Sequence, residues 1–69
     1  MINPVRRAVN YVGGVSKMAR ALNIQRASVY KWIDNGYVPA DRAIPVERLV
    51  DGKVTRHELC PSIYPDEAA

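Results

Sequence analysis

The chain has 69 residues, 48% hydrophobic and 25% charged, with a formal net charge of +3, one Cys and no Phe. That length limits it to one small domain with a modest core, and the single Cys60 excludes an internal disulfide and lacks partners at metal-ligand spacing. No run is long and apolar enough to cross a bilayer, and no apolar stretch follows Arg6 and Arg7 as it would in a leader, so a cytoplasmic protein is expected.

Asn3-Pro4 is a helix start, because Asn caps free amides and Pro suits the first helical position. Val5, Ala8, Val9 and Val12 then form one apolar stripe, and Gly13-Gly14 ends a first helix of about residues 4–12. A second helix runs from Val15 to Leu22, with Val15, Met18, Ala19 and Leu22 on its apolar face and Gly14 or Ser16 as its cap. Asn23 suits a positive-φ turn. A third helix follows from Gln25 or Arg26 to about Asp34, with Val29, Trp32 and Ile33 on its buried face and Asn35-Gly36 as its stop.

The second half is broken more often. Residues 39–43 form one short helix. Pro45 breaks a longer one and opens another, Pro45 to Val50. Asp51-Gly52 is a turn, and Lys53-Val54 is too short to make a sheet. Thr55 and Glu58 fit a capping box at the start of a last short helix that ends before Pro61. Ile63 and Tyr64 are expected to anchor the end of the domain, taken as residues 1–65, with 66–69 as a mobile tail. The fold class is therefore all-α, a compact bundle of about five short helices.

Met18, Ala19, Leu22, Asn23, Ile24, Val29 and Trp32 form the structural pattern of a helix-turn-helix. Two helices crossing steeply need a small residue at the contact, and Ala19 supplies it. Asn23 supplies the turn, and the arrangement exposes the start of the third helix, as docking in a DNA major groove requires. Charge points the same way. Residues 1–33 hold six basic residues and no acid, whereas residues 34–69 hold four basic and seven acidic ones. A positive field on one half of so small an object attracts polyanions.

The run Gly13-Gly14, Met18-Ala19-Arg20-Ala21-Leu22-Asn23-Ile24 and Ser28-Val29-Tyr30-Lys31-Trp32-Ile33 resembles the Cro and repressor superfamily of phage regulators. Within it the chain is most similar to the YdaS-type proteins encoded in prophages, some of them described as antitoxins. The likeness continues through Val38-Pro39-Ala40-Asp41-Arg42, Glu47-Arg48 and Val54-Thr55-Arg56-His57-Glu58-Leu59, so it covers about residues 10–65. It implies a lambda repressor-like fold and a sequence-specific DNA-binding regulator of phage or prophage origin. By that resemblance Gln25, Arg26, Ala27, Tyr30 and Lys31 read bases. Arg can pair with guanine, Gln with adenine, and Ala can touch a thymine methyl. Ser16, Lys17, Arg20 and Ser28 are the implied phosphate contacts, beside helix amino ends that suit anions. Two positions depart from the family pattern. Val15 stands where a phosphate-clamping Gln is common, and Asn23 where Gly is common.

Other residues have plainer roles. Trp32 and Met18 belong to the core, His57 is a surface or partly packed residue, and Cys60 is a semi-buried structural thiol. Tyr11 and Tyr37 are open between packing and surface. Arg6, Arg7 and Arg20 are open between phosphate contacts and solubilising charges. An enzyme is not expected, since there is no Gly-rich phosphate loop, no carboxylate pair in a cleft and no partnered His or Cys. No cofactor, metal or small-molecule substrate is expected either.

The expected partner is a double-stranded DNA operator, bound as a homodimer at least on DNA, through Val54, Leu59, Ile63 and Tyr64 unless these complete the monomer core. One competing function is an antitoxin or protein-interaction module whose acidic second half masks a toxin. Another is an excisionase-like winged helix, suggested by Tyr30-Lys31-Trp32-Ile33 with Gly36, Val38 and Pro39. The prolines and the capping box at Thr55 favour helices over a wing.

Overall fold

A computed structural model describes residues 3–65. The expectations for the first two residues and for the tail at 66–69 lie outside them. Five helices follow one another: α1 Pro4–Val12, α2 Val15–Leu22, α3 Arg26–Asn35, α4 Ala40–Leu49 and α5 Arg56–Leu59. No strand occurs among the described residues, so the wing of the excisionase-like alternative is not there.

The first helix begins at a side-chain cap, and each of the first three helices ends at a left-handed residue. The Asn3 side chain accepts from the Arg6 amide at 2.8 Å, satisfying one orphan donor of α1. The same side chain donates through Nδ2 to the Ile33 carbonyl at 2.9 Å. One residue therefore caps α1 and ties it to the end of α3. Gly13 closes α1 at φ 101°, a conformation that costs a β-carbon dearly. Asn23 closes α2 at φ 57° and ψ 47°, with its N–H directed at the Ala19 and Arg20 carbonyls.

The core gathers one stripe from each helix. Val5, Ala8 and Val9 of α1, Met18 and Ala19 of α2, Val29 and Trp32 of α3, Ala43 and Val46 of α4 and Leu59 of α5 are all buried. Val38, Val50, Val54 and Cys60 fill the spaces between helices, and no buried side chain among the described residues is polar or charged. Trp32 and Met18 are core residues as expected, and Cys60 is fully rather than partly buried. With so little polar content inside, the fold depends on apolar burial and on side-chain hydrogen bonds at its surface.

Two expectations fail in the second half. The separate helices at 39–43 and 45–50 are one helix, α4, with Pro45 inside it. Pro45 is exposed while Ala43, Val46 and Val50 are buried. The Asp41 carbonyl left without its helical partner therefore lies on the wet side, and burial of the opposite face outweighs the lost bond. Ile63 does not anchor the chain end, being 56% exposed. Adjacent side chains on the Cys60–Tyr64 turn cannot both face inward, and Tyr64 takes the inward place. Its amide donates to the Cys60 carbonyl at 2.9 Å, and the Arg56 guanidinium lies 5.9 Å from its ring centre. Of the two roles left open for Val54 and Leu59, completing the monomer core is the one found, since both are buried in this chain's own core.

The capping box at the start of α5 is present. Thr55 accepts from the Glu58 amide, and Glu58 accepts from the Thr55 amide at 3.1 Å. Glu58 also takes Arg7 of α1 at 2.6 Å, and Glu47 takes Nε of Arg56 at 2.8 Å. The hydrogen bond from Arg7 and that from Arg56 hold the carboxyls of Glu58 and Glu47 below the usual glutamate range. Tyr11 is a surface residue, and its hydroxyl donates to Asp51 at 3.0 Å, which raises its pKa. His57 Nδ1 lies 3.0 Å from the Tyr64 carbonyl, in keeping with a partly packed histidine.

Candidate nucleic-acid interface

The α2–α3 pair begins with a small residue at its contact. Ala19 is 4% exposed and lets the two helices approach. Its carbonyl accepts the Ile24 amide at 2.9 Å. That bond and the left-handed Asn23 turn the chain within three residues, so α3 starts beside the amino half of α2. Met18, Val29 and Trp32 are buried beneath the pair, and Leu22 and Ile24 pack partly against them. Every residue of the predicted structural pattern except the turn residue Asn23 therefore contributes to the core.

This geometry opens a concavity of about 580 Å³ between the two helices. Ala19 and Ile24 floor it, and Ser16, Arg20, Gln25, Arg26 and Ala27 line it. Two groups predicted separately, three base readers and two phosphate contacts, thus share one hollow. Gln25 is the residue before α3 and makes no capping hydrogen bond with its side chain. Its amide group is left free, and the first amides of α3 have no side-chain acceptor.

Tyr30 and Lys31 continue the exposed surface along α3 outside the hollow, Tyr30 being 55% exposed. Lys17 is exposed on α2, and its side chain passes close over Gly13. Ser28 is half-buried and does not line the hollow.

Charge distinguishes this face. Among the described residues the ion pairs are Arg7 with Glu58 and Arg56 with Glu47. Lys17, Arg20, Arg26 and Lys31 take part in neither, and all four are exposed. Arg7 is held by its carboxylate partner, whereas Arg6 next to it is exposed and outside both pairs. The role of Ile24 as floor was not read from the sequence, where it counted only as a packing residue. Its position directly after the turn was the available signal.

Comparison with known proteins places this geometry. The family model described as "Bacterial toxin YdaS" matches residues 5–68. The chain belongs to the YdaS family. A curated relative of this YdaS-family chain, "Putative transcriptional regulator YdaS" of Escherichia coli (strain K12), is 41% identical over 59 residues. The match covers 84% of this chain and 60% of the relative, so the YdaS chain here spans less than two thirds of that protein's length. Among solved structures it is similar to the Cro protein from a prophage element of Xylella fastidiosa strain Ann-1. The TM-score is 0.87 at 34% identity, over 93% of this chain and 98% of the other. The expected Cro-like, all-helical fold and the YdaS resemblance are both found.

Proposed function

We propose that this YdaS-family chain is a sequence-specific DNA-binding transcriptional regulator that presents the amino end of α3 to the major groove of an operator. The observation that carries the reading is the exposed, unpaired cationic face of α2 and α3, with a hollow where Gln25, Arg26 and Ala27 meet Ser16 and Arg20. Arg26 and Gln25 supply forked donors and acceptors for base edges, and Ala27 a methyl-sized contact. Tyr30 and Lys31 extend the reading surface along the helix. Ser16, Lys17 and Arg20 meet the phosphates on one side, with Ser28 at the margin.

The Cro-like neighbour and the regulator name of the relative support this reading. In it the protein acts in the bacterial cytoplasm as a non-enzymatic binder, with two copies on a palindromic site. Selection of bound sequences from a random DNA pool tests it. A recurrent short motif is expected, and recovery of no preferred sequence at moderate salt refutes it. Affinity should fall by about 0.9 log units per log unit of salt for each phosphate contacted.

The family's description as a bacterial toxin favours a second reading, in which expression harms the host. Growth arrest by the wild type that is lost in Arg26→Ala would trace harm to the DNA face. Arrest that persists would place it elsewhere. A stable complex with a neighbouring gene's product, formed through residues 34–69, would support the antitoxin or interaction role.

A further inference from the structure

We infer that Asn3 is a positioning residue for α3: through the Ile33 carbonyl its side-chain amide sets how far that helix is turned about its own axis, and so where its readers meet the bases. The inference rests on the DNA-binding reading for its purpose, but the contact itself is defined without DNA.

Apolar packing alone holds α3 loosely in rotation. Of its ten residues only Val29 and Trp32 are buried, three positions apart on one stripe. Apolar contact is non-directional, so a single stripe presses the helix to the core without fixing its turn closely. The Gln25 side chain does not cap α3, and neither ion pair involves a residue of this helix. Among the described residues one side-chain hydrogen bond reaches α3 from elsewhere in the chain. It runs from Asn3 Nδ2 to the Ile33 carbonyl at 2.9 Å, across 30 positions of sequence. Such a bond is directional and tolerates only a few tenths of an ångström. The Ile33 carbonyl is one of the four that a helix end leaves without an internal partner, so the tie displaces no bond of α3 itself.

The lever is short and acts on every reader. Side-chain tips on a helix lie about 5–6 Å from its axis. A turn of about 10° therefore carries each tip about 1 Å sideways, whereas binding constellations must be held within about 0.5 Å. Removing Arg26 deletes one contact. Removing the tie displaces Arg26, Ala27, Tyr30 and Lys31 together.

The residue type fits this second task. Oδ1 of Asn3 accepts the Arg6 amide at 2.8 Å while Nδ2 donates to Ile33. Asp and Ser cap a helix about as well, but a carboxylate has no donor and the Ser hydroxyl is one bond shorter. Capping accounts for the first bond and leaves the second unexplained.

Asn3→Asp and Asn3→Ser keep the cap and remove the tie. Each is titrated on the motif recovered by selection and on its single-base variants. A folding defect lowers the active fraction equally for every sequence, so the ratio of affinities reads positioning and not stability. In both variants that ratio is expected to fall at least about threefold at two or more base pairs, where Arg26→Ala relaxes one. Ratios equal to those of the wild type, whatever the overall affinity, overturn the proposal. So does a fall in only one of the two variants or at only one base pair. Residual dipolar couplings of the free chain give the orientation of α3 relative to α1 without DNA. Variant and wild type are expected to differ at α3, and identical couplings overturn the proposal. If no motif is recovered, the DNA reading fails, and the couplings still decide whether Asn3 orients α3.

Discussion

Replacing Asn23 by Ala and by Gly separates what its backbone does from what its side chain does. Asn23 holds φ 57° and ψ 47°, inside the left-handed region. There an L-residue with an ordinary β-carbon is penalised by about 1–2 kcal/mol, Asn less so, and Gly not at all. Asn23 is exposed and its side chain makes no hydrogen bond among the described residues. Truncating that side chain therefore loses no partner, and the whole effect should come from φ. Asn23→Ala is expected to cost about 1 kcal/mol. In Asn23→Gly, relief of strain is offset by about 0.4–1 kcal/mol of extra freedom in the unfolded chain. The expected order is Asn and Gly close together, with Ala below both. For a domain this small, 1 kcal/mol is a drop of about 4–8 °C in Tm. Thermal melting followed by circular dichroism reads it. If Ala melts with Asn, the turn is not held at positive φ. If Gly falls as far as Ala, the side chain rather than the backbone secures the turn. Either result refutes the reasoning.

The remaining predictions concern the reading face, α4 and the acid limb of stability. Arg26→Ala should cost about 1–3 kcal/mol of DNA affinity and relax preference at one base pair, measured by titration against single-base variants of the selected motif. Lys17→Ala should instead weaken all sequences alike and reduce the salt slope by about 0.9. Pro45→Ala restores an amide donor facing the Asp41 carbonyl and should raise stability in denaturant titrations, by at most about 3 kcal/mol. Glu47 and Glu58 have folded pKa values below the ordinary 4.5, so their contribution is complete above that value. It is lost as pH falls through their folded values. Acid unfolding should therefore steepen below pH 4.5, and Glu47→Gln/Glu58→Gln should flatten the curve there while leaving its slope near pH 7 unchanged.

Residues whose behaviour is decided within one turn of chain were legible in the sequence. The Asn3 cap and the Thr55–Glu58 box act on amides, and the Gly13 and Asn23 turns on carbonyls, three or four positions away, and each appears where the spacing puts it. Pro45 was misread for the opposite reason. Its local preference argues for a helix boundary, but the face opposite it carries Ala43, Val46 and Val50 into the core, and that gain is a tertiary quantity. Ile63 and Tyr64 look alike as an apolar pair, and only the turn they sit on decides which one points inward. The long-range ties from Asn3 to Ile33, from Arg7 to Glu58 and from Val38 to Leu59 have no sequence signature at all. Of the candidate interface, the identity of the exposed residues on α2 and α3 was legible. Their convergence on one hollow was not, because it depends on the angle that Ala19 allows.

The pairing of Arg7 with Glu58 and of Arg56 with Glu47 bears on how fast the molecule finds a target as well as on how firmly it folds. As exposed pairs they each add less than about 1 kcal/mol to folding. They nevertheless occupy two carboxylates away from α2 and α3, where Lys17, Arg20, Arg26 and Lys31 outnumber the one acid, Asp34. A body charged in this lopsided way feels a torque as well as a pull in the field of a polyanion. It turns its cationic side forward during the last Debye length of approach, about 10 Å at 0.1 M salt. In the proposed DNA-binding reading, encounters then begin with α3 already facing the duplex. A chain of equal net charge with its charges scattered evenly would be drawn in as strongly and would collide in random orientations.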